Sequence, residues 1–235
     1  MRKEQLPRLA GVHLKTKAPD YIHLYFLQAD IHEALTTHAR GQLLDLGCGN
    51  KPYEEWYGPL CNSTIGCDVI QSSLNRVDVL CEATALPFEA NSFDTVFCTQ
   101  VMEHVYDHSK LLSEAHRVLR PGGHLVLTVP FCWELHEEPY DFFRFSKHGL
   151  QNLYEATGFS NITIKANGGK WAAAFQMLLN TVYSSFKNKN WRTKLLKILF
   201  IELRFTWLIN KIAIRADKKH RDDVWTLNYL VVAKK

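Results

Sequence analysis

The chain has six cysteines but no C-x-x-C pair. Cys48, Cys61, Cys67, Cys81, Cys98 and Cys132 occur singly, several of them inside apolar runs where a small hydrophobe serves. That spacing gives neither a zinc ribbon nor a disulfide framework, and it predicts reduced thiols in a cytoplasmic protein. The opening Met1-Arg2-Lys3-Glu4-Gln5 leads into no apolar run, so no secretory signal is expected. There is no internal repeat and no low-complexity tract. Acidic residues are scarce in one place. Between Lys170 and Arg221 there are twelve Lys/Arg against two acids. The chain as a whole carries only +4, so the rest carries −6. A basic segment on an acidic body points to a negatively charged surface as partner. Two apolar segments in this region, 171–186 and 192–216, both lack 18 uninterrupted apolar residues, which argues against a membrane-spanning helix.

What is present is ordinary for a globular protein. The 235 residues are 46% hydrophobic and 22% charged, enough for one domain with an elaboration or two small domains. Residues 1–19 are polar and basic, with Pro7, Gly11 and Pro19, and read as an extended arm. From Asp20 to about His38 a helical pattern runs, with Tyr21, Leu24, Tyr25, Leu27, Ile31 and Leu35 on one face. Leu43, Leu44 and Leu46 then form a short buried strand that stops at Gly47-Cys48-Gly49. Further strands are predicted at 63–69, 76–80, 92–99, 124–130, 159–165 and 226–233. Helices are predicted at 101–119 and 147–157, the latter ended by Gly158. Pro121-Gly122-Gly123 reads as a turn. Strand–helix alternation predicts a Rossmann-like, seven-stranded, mostly parallel sheet with helices on both faces, and a helical insertion before the last strand. The expected division is 1–40 (arm and helix), 41–168 (core), 169–224 (basic, apolar insertion) and 225–235 (final strand).

Four stretches in order resemble the class I S-adenosylmethionine (SAM)-dependent methyltransferases, of the type 11 kind. They are Asp45-Leu46-Gly47-Cys48-Gly49; Gly66-Cys67-Asp68-Val69; Glu82-Ala83-Thr84-Ala85-Leu86-Pro87-Phe88 with Phe93-Asp94-Thr95-Val96; and Arg117-Val118-Leu119-Arg120-Pro121-Gly122-Gly123. The resemblance covers about half the chain and implies SAM as cofactor. It implies that the turn from Gly47 through Cys48 to Gly49 lies against the methionine and sugar portions, where a Cβ would intrude. It implies that Asp68, with Val69 beside it, accepts from the ribose hydroxyls, a task suited to two acceptor oxygens. Glu82 would take the adenine amino group, Ala83 would supply a backbone contact, Asp45 would act toward the amino-acid end, and Gln100 would sit near the sulfonium. One position departs from the pattern. The family often has a third glycine two residues after Gly49, where this chain has Lys51 followed by Pro52. A nicotinamide-dependent dehydrogenase also needs a glycine turn and an acid after the second strand, but its G-x-G-x-x-G fails at Pro52.

Two stretches offer a base for an oxygen acceptor. One is Met102-Glu103-His104-Val105, where His104 titrates near neutrality. The other runs from His136 to Phe145 and packs a His, three acids, an Arg and four aromatics beside the expected cleft. His136 and Asp141 lead there, and an Asp141–Arg144 pair bracing a lid is the structural alternative. This stretch resembles one in methyltransferases of surface-polysaccharide and lipid-linked glycan pathways. No metal-binding group stands out, because His136, Glu137 and Glu138 are adjacent and cannot all face one ion. In the insertion, Lys197, Arg204, Lys211 and Lys218 recur every seven residues with Arg215 nearby, a basic stripe suited to a membrane interface or to packing on a core or a second copy. Nucleic acid is not the expected partner. The expectation is therefore a cytoplasmic methyltransferase acting on a sugar or lipid-linked glycan hydroxyl, with 192–218 set against a membrane surface, a partner or the core. The alternatives are a quinone or other small-metabolite methyltransferase, and a SAM-fold module that binds without catalysing.

Overall fold

The computed structural model describes residues 8–186, 191–202 and 204–235. The apolar runs form one seven-stranded sheet: β1 (Gln42–Leu46), β2 (Ser63–Asp68), β3 (Val79–Leu80), β4 (Phe93–Thr99), β5 (Leu119–Pro130), β6 (Ser160–Asn167) and β7 (Asn228–Lys234). Their spatial order is β3-β2-β1-β4-β5-β7-β6. The first five strands pair in parallel, and β7 runs antiparallel between β5 and β6. The strand order reverses between β1 and β4, so a crevice opens at their carboxyl ends.

Alternation along each strand feeds two cores. On one face Leu44, Leu46, Val96, Cys98, Leu125 and Leu127 pack with helices α3 (His108–Val118) and α4 (Lys147–Thr157). On the other, Leu43, Phe97, Val126 and Leu230 meet α1 (Tyr21–His38) and the short α2 (Glu54–Tyr57). Gly158 takes φ +96° and ends α4, as its position suggests.

The structure corrects several expectations. The helix expected over 101–119 is two pieces: one turn at Met102–His104, then α3, which Asp107 caps by accepting from the Lys110 amide at 3.1 Å. Pro121-Gly122-Gly123 is a bulge inside β5. Leu119 faces Phe93 and His124 faces Thr95, so several β5 residues oppose a single step of β4. The predicted face of α1 holds in its second half but not its first, where Ile22, His23 and Phe26 are buried in place of Tyr21, Leu24 and Tyr25. The cause is the insertion, which packs on that end of α1 through Ala172, Ala173, Leu179 and Ala213.

The insertion itself is α5 (Lys170–Ser185), α6 (Trp191–Lys197), a wider turn at Ile198–Glu202 and α7 (Phe205–Lys219). The single helix expected over 192–216 is broken at Arg204, which has φ +60°. Lys197, Arg204, Lys211 and Lys218 therefore do not share one continuous helix, and Lys218 donates to the Tyr25 hydroxyl at 2.6 Å. Asp217 ties α7 to the start of α5. Its carboxylate, buried in the fold, accepts from the Gly169 amide at 2.9 Å and the Ala172 amide at 3.0 Å. This supplies partners for two amides that a helix start leaves open. Among the described residues, no helix is long and apolar enough to cross a membrane, and all six cysteines are free thiols.

Candidate active site

A cleft of about 710 Å³ opens at the carboxyl ends of β1, β2 and β4. It brings together ten of the residues singled out from sequence: Asp45, Gly47, Cys48, Gly49, Asp68, Val69, Glu82, Ala83, Gln100 and His104. His136 and Asp141 do not line it. They stand behind His104, whose ring lies 4.7 Å from that of His136. The cleft also includes Arg8, His23 and Tyr53, which the sequence reading missed, with Asn50 of the glycine turn and Tyr140 of the 136–145 stretch. Arg8 and His23 come from segments with no motif, so only the tertiary fold places them.

The glycine turn has two different reasons for its glycines. Gly47 has φ +76°, and a Cβ there would fall 2.2 Å from Val101 Cγ2. Its missing side chain thus makes room for a neighbouring residue of the protein rather than for a ligand. Gly49 has φ +51°, and a Cβ would meet Arg8 Cδ at 3.1 Å. Lys51, in the place of a third glycine, takes φ +52°. Its stem runs under β2, where a Cβ on Gly66 would strike Lys51 Cε at 2.4 Å. Its ammonium meets Asp78 Oδ2 at 2.6 Å, and the same oxygen accepts from the Gly66 amide at 2.7 Å. Lys51 therefore braces the turn from below.

Of the five acids that line the cleft, three stand at the carboxyl ends of β1, β2 and β3. Asp68 accepts from the Gly49 amide at 3.1 Å and the Ile70 amide at 3.3 Å. Arg8 donates to both of its oxygens, at 2.7 and 3.4 Å. Two donors on two oxygens is the pattern a ribose diol presents, so the guanidinium occupies the position expected for the sugar. Asp45 is buried and accepts from Tyr57 Oη at 2.9 Å. Burial pushes its carboxyl up to about 7, against the pull of the Tyr57 hydroxyl and the Lys51 charge. Glu82 lies exposed at the rim. Three acids around one cleft suit a cationic ligand that also carries hydroxyls and an amine. SAM, with its sulfonium, ammonium, ribose and adenine, fits that donor set.

At the other end, Gln100 has φ +54°, and its amide nitrogen donates to Thr128 Oγ1 at 3.1 Å. His104 Nδ1 lies 2.9 Å from the Tyr140 carbonyl. A carbonyl only accepts, so Nδ1 carries the hydrogen and Nε2 keeps its lone pair. Burial pulls the His104 imidazole below its ordinary range, which favours the neutral ring. Asp141 is gripped by Arg144 at 2.6 and 2.7 Å and receives the His136 amide at 3.0 Å. Burial acts to raise the Asp141 carboxyl, but these donors outweigh it and hold it below the usual range. Glu103 is fully buried, and burial pushes its carboxyl up to about 8. Ligand atoms of Glu103, His104 and His136 lie within 4.8 Å of one another, a grouping not picked out from the sequence. The 136–145 loop folds back onto the 102–104 turn and brings His136 to the adjacent Glu103 and His104; the Phe142 amide donates to the Glu103 carbonyl at 2.9 Å.

Residues 44–127 match the family described as "Methyltransferase domain". The tRNA (carboxymethyluridine(34)-5-O)-methyltransferase alkbh8 of Xenopus tropicalis is 26% identical over 80% of this chain and 32% of its own length. The mitochondrial ubiquinone biosynthesis O-methyltransferase of Homo sapiens is 26% identical over 51% of this chain and 38% of its own. The chain thus spans well under half the length of these relatives. Among solved structures, the [4+2]-cyclase SpnF superposes with a TM-score of 0.60 at 18% identity, covering 94% of this chain and 85% of that one. At that identity the likeness is one of fold.

Proposed function

From a chain that belongs to the class I SAM-dependent methyltransferases, we propose an enzyme that methylates an oxygen acceptor, namely a hydroxyl of a sugar or lipid-linked glycan intermediate. The observation that carries this reading is the two-ended cleft. Acids Asp45, Asp68 and Glu82 lie at one end, and His104, Tyr140 and Glu137 lie at the other. When bound, SAM supplies an electrophilic methyl group to an oxygen held in line with the C–S bond, whose electron pair stays on sulfur. Asp68 would accept from the ribose, Asp45 would face the ammonium end, and Glu82 with Ala83 would meet the adenine. The glycine turn, held by Lys51 and Val101, would fix their spacing. Tyr106 and Tyr140 offer ring faces for a sugar, and His104 stands at the end of the cleft where the acceptor hydroxyl would lie. His136 and Asp141 would act behind His104 as positioning residues.

SAM titration by calorimetry tests the cofactor half of this reading. Wild type should bind one SAM, and Asp68→Ala should lose at least tenfold in affinity. No binding, or equal binding by both, overturns it. A screen with labelled SAM against sugar nucleotides, lipid extracts and quinones tests the acceptor. Transfer to quinones alone would favour a second reading, a small-metabolite methyltransferase, which the relation to a ubiquinone biosynthesis O-methyltransferase supports. A third reading, binding without methyl transfer, draws on the likeness to a cyclase of the same fold. SAM binding with no transfer in any screen would select it.

For the insertion we propose contact with an anionic membrane surface. Trp191, Leu195, Ile198, Ile201, Leu208 and Ile212 are all at least 44% exposed, with Arg192, Lys197 and Lys211 among them. An exposed apolar band with interspersed cations suits a headgroup layer. Co-sedimentation with anionic liposomes should drop when Lys197 and Lys211 become Glu. Unchanged sedimentation would count against the idea.

A further inference from the structure

We propose that Glu103, His104 and His136 form a site for one divalent first-row transition-metal ion at the acceptor end of the cleft. The ligand atoms of these three residues already lie within 4.8 Å of one another. Such ions hold carboxylate oxygen and imidazole nitrogen at about 2.0–2.2 Å, which sets neighbouring donors roughly 3–3.5 Å apart. The tips need to draw in by up to about 1.3–1.8 Å, a side-chain adjustment.

Three features point to an ion. The first is Glu103. Its side chain has no solvent exposure, and neither oxygen accepts a hydrogen bond from another residue. Its nearest partner is His104 Nε2, 3.7 Å from Oε1. Two buried carboxyl oxygens without partners are unusual, and a cation between them and the two rings would give them one. The second is the state of each histidine. His104 donates its Nδ1 hydrogen to the Tyr140 carbonyl at 2.9 Å, which leaves Nε2 as the ligand. His136 Nδ1 faces Asp141 Oδ2 at 3.2 Å and the Glu134 carbonyl at 3.3 Å. Both partners accept only, so Nδ1 carries the hydrogen in this ring as well. A metal-binding histidine is commonly set this way, with its far nitrogen bonded to a carbonyl or carboxylate. The third is the support behind that carboxylate. Arg144 grips Asp141 through two short bonds and also donates to the Glu134 carbonyl at 3.0 Å, so the loop is built around the His136 partner.

Two imidazoles and one carboxylate suit Mn²⁺, Fe²⁺, Co²⁺ or Zn²⁺ better than Mg²⁺ or Ca²⁺. The three residues occupy one side of the ion and leave the rest for water or acceptor. His104 lines the cleft, so an acceptor oxygen could complete the sphere and lose its proton more readily. That last role rests on the methyl-transfer reading; the ion site does not.

The test uses the full chain stripped with chelator, titrated with Mn²⁺ near neutral pH and followed by the loss of the free-ion EPR signal. Mn²⁺ is chosen because the six free thiols bind it poorly. Wild type should bind one ion per chain, and Glu103→Gln and His136→Gln should each weaken it at least tenfold. Zn²⁺ should displace it. No uptake at about 1 mM Mn²⁺, or equal uptake by both variants, overturns the site. SAM calorimetry on the same samples separates the two proposals and reports that the variants are folded: SAM binding without Mn²⁺ binding removes only the ion, and Mn²⁺ binding without SAM binding removes only the methyl-transfer reading.

Discussion

Arg8 donates to Asp68 Oδ2 at 2.7 Å across sixty residues of chain, and so covers the carboxylate that should hold the ribose. The arm that carries Arg8 must release Asp68 before a diol can take its place. Asp68 is buried and Arg8 is largely covered, so breaking the pair has a cost that the cofactor must offset. Arg8→Ala should therefore tighten SAM binding by a few-fold, as measured by calorimetry. Weaker binding in the variant would mean that Arg8 helps to hold the cofactor.

Asp45 gives a dependence on pH. Its folded pKa is raised to about 7 by burial, whereas an unfolded Asp titrates near 3.9. The neutral carboxyl is favoured by the fold, so its stability contribution is complete at low pH and lost as pH rises through about 7. The ionised form is the one that attracts a cationic ligand. SAM affinity should rise from pH 6 to pH 8 while the melting temperature of the free protein falls, and Asp45→Asn should flatten both trends. A flat affinity profile in the wild type would separate Asp45 from the cofactor.

Gly66 and Lys51 should couple. Gly66→Ala places a methyl group 2.4 Å from Lys51 Cε and 2.8 Å from Cys48 Sγ. Overpacking of this kind costs about 1–3 kcal/mol. Lys51→Ala removes one obstacle, so the double variant should be less destabilised than the sum of the two single changes. Denaturant unfolding of the four proteins measures the coupling, and strict additivity would show that the Lys51 stem does not fill that space.

Asp217 anchors the insertion. Asp217→Ala leaves the Gly169 and Ala172 amides without their partner in a buried place, for a loss of about 2–4 kcal/mol. Hydrogen exchange should report faster opening of α5 and α7, with the β1–β4 region unchanged. Uniform acceleration through the sheet would instead tie the insertion into the global unfolding unit.

The parts legible in the sequence are those dictated by local pattern. Leu43, Leu44 and Leu46 announce β1; Gly158 announces the end of α4; and the acids in the last residues of β1 and β2 announce the cleft. Each depends on residues within a few positions of one another. The rest depends on contacts across the chain. The break at Arg204 is invisible because the apolar spacing runs straight through it. Gly47 reads as a ligand-facing glycine, but its neighbour is Val101, more than fifty residues away. The Glu103–His104–His136 group needs the 136–145 loop folded onto the 102–104 turn. Glu103 and His104 are neighbours, but His136 lies more than thirty residues further along, so local spacing does not show the group. Arg8 and His23 belong to segments whose sequence carries no chemistry of its own.

One consequence follows from the place of β7 in the sheet. Its first residue, Asn228, sits opposite Asn167, the last residue of β6. The chain therefore leaves the sheet and returns to it at adjacent points, and everything between is an excursion with closely spaced ends. Closing such an excursion costs nearly the same whether it is short or long. The sheet edge works as a socket, in which the outer segment can be lengthened, shortened or exchanged at closely spaced ends. What must be kept is its seam with α1, because Gln176 accepts from the His23 amide at 3.1 Å and His23 lines the cleft.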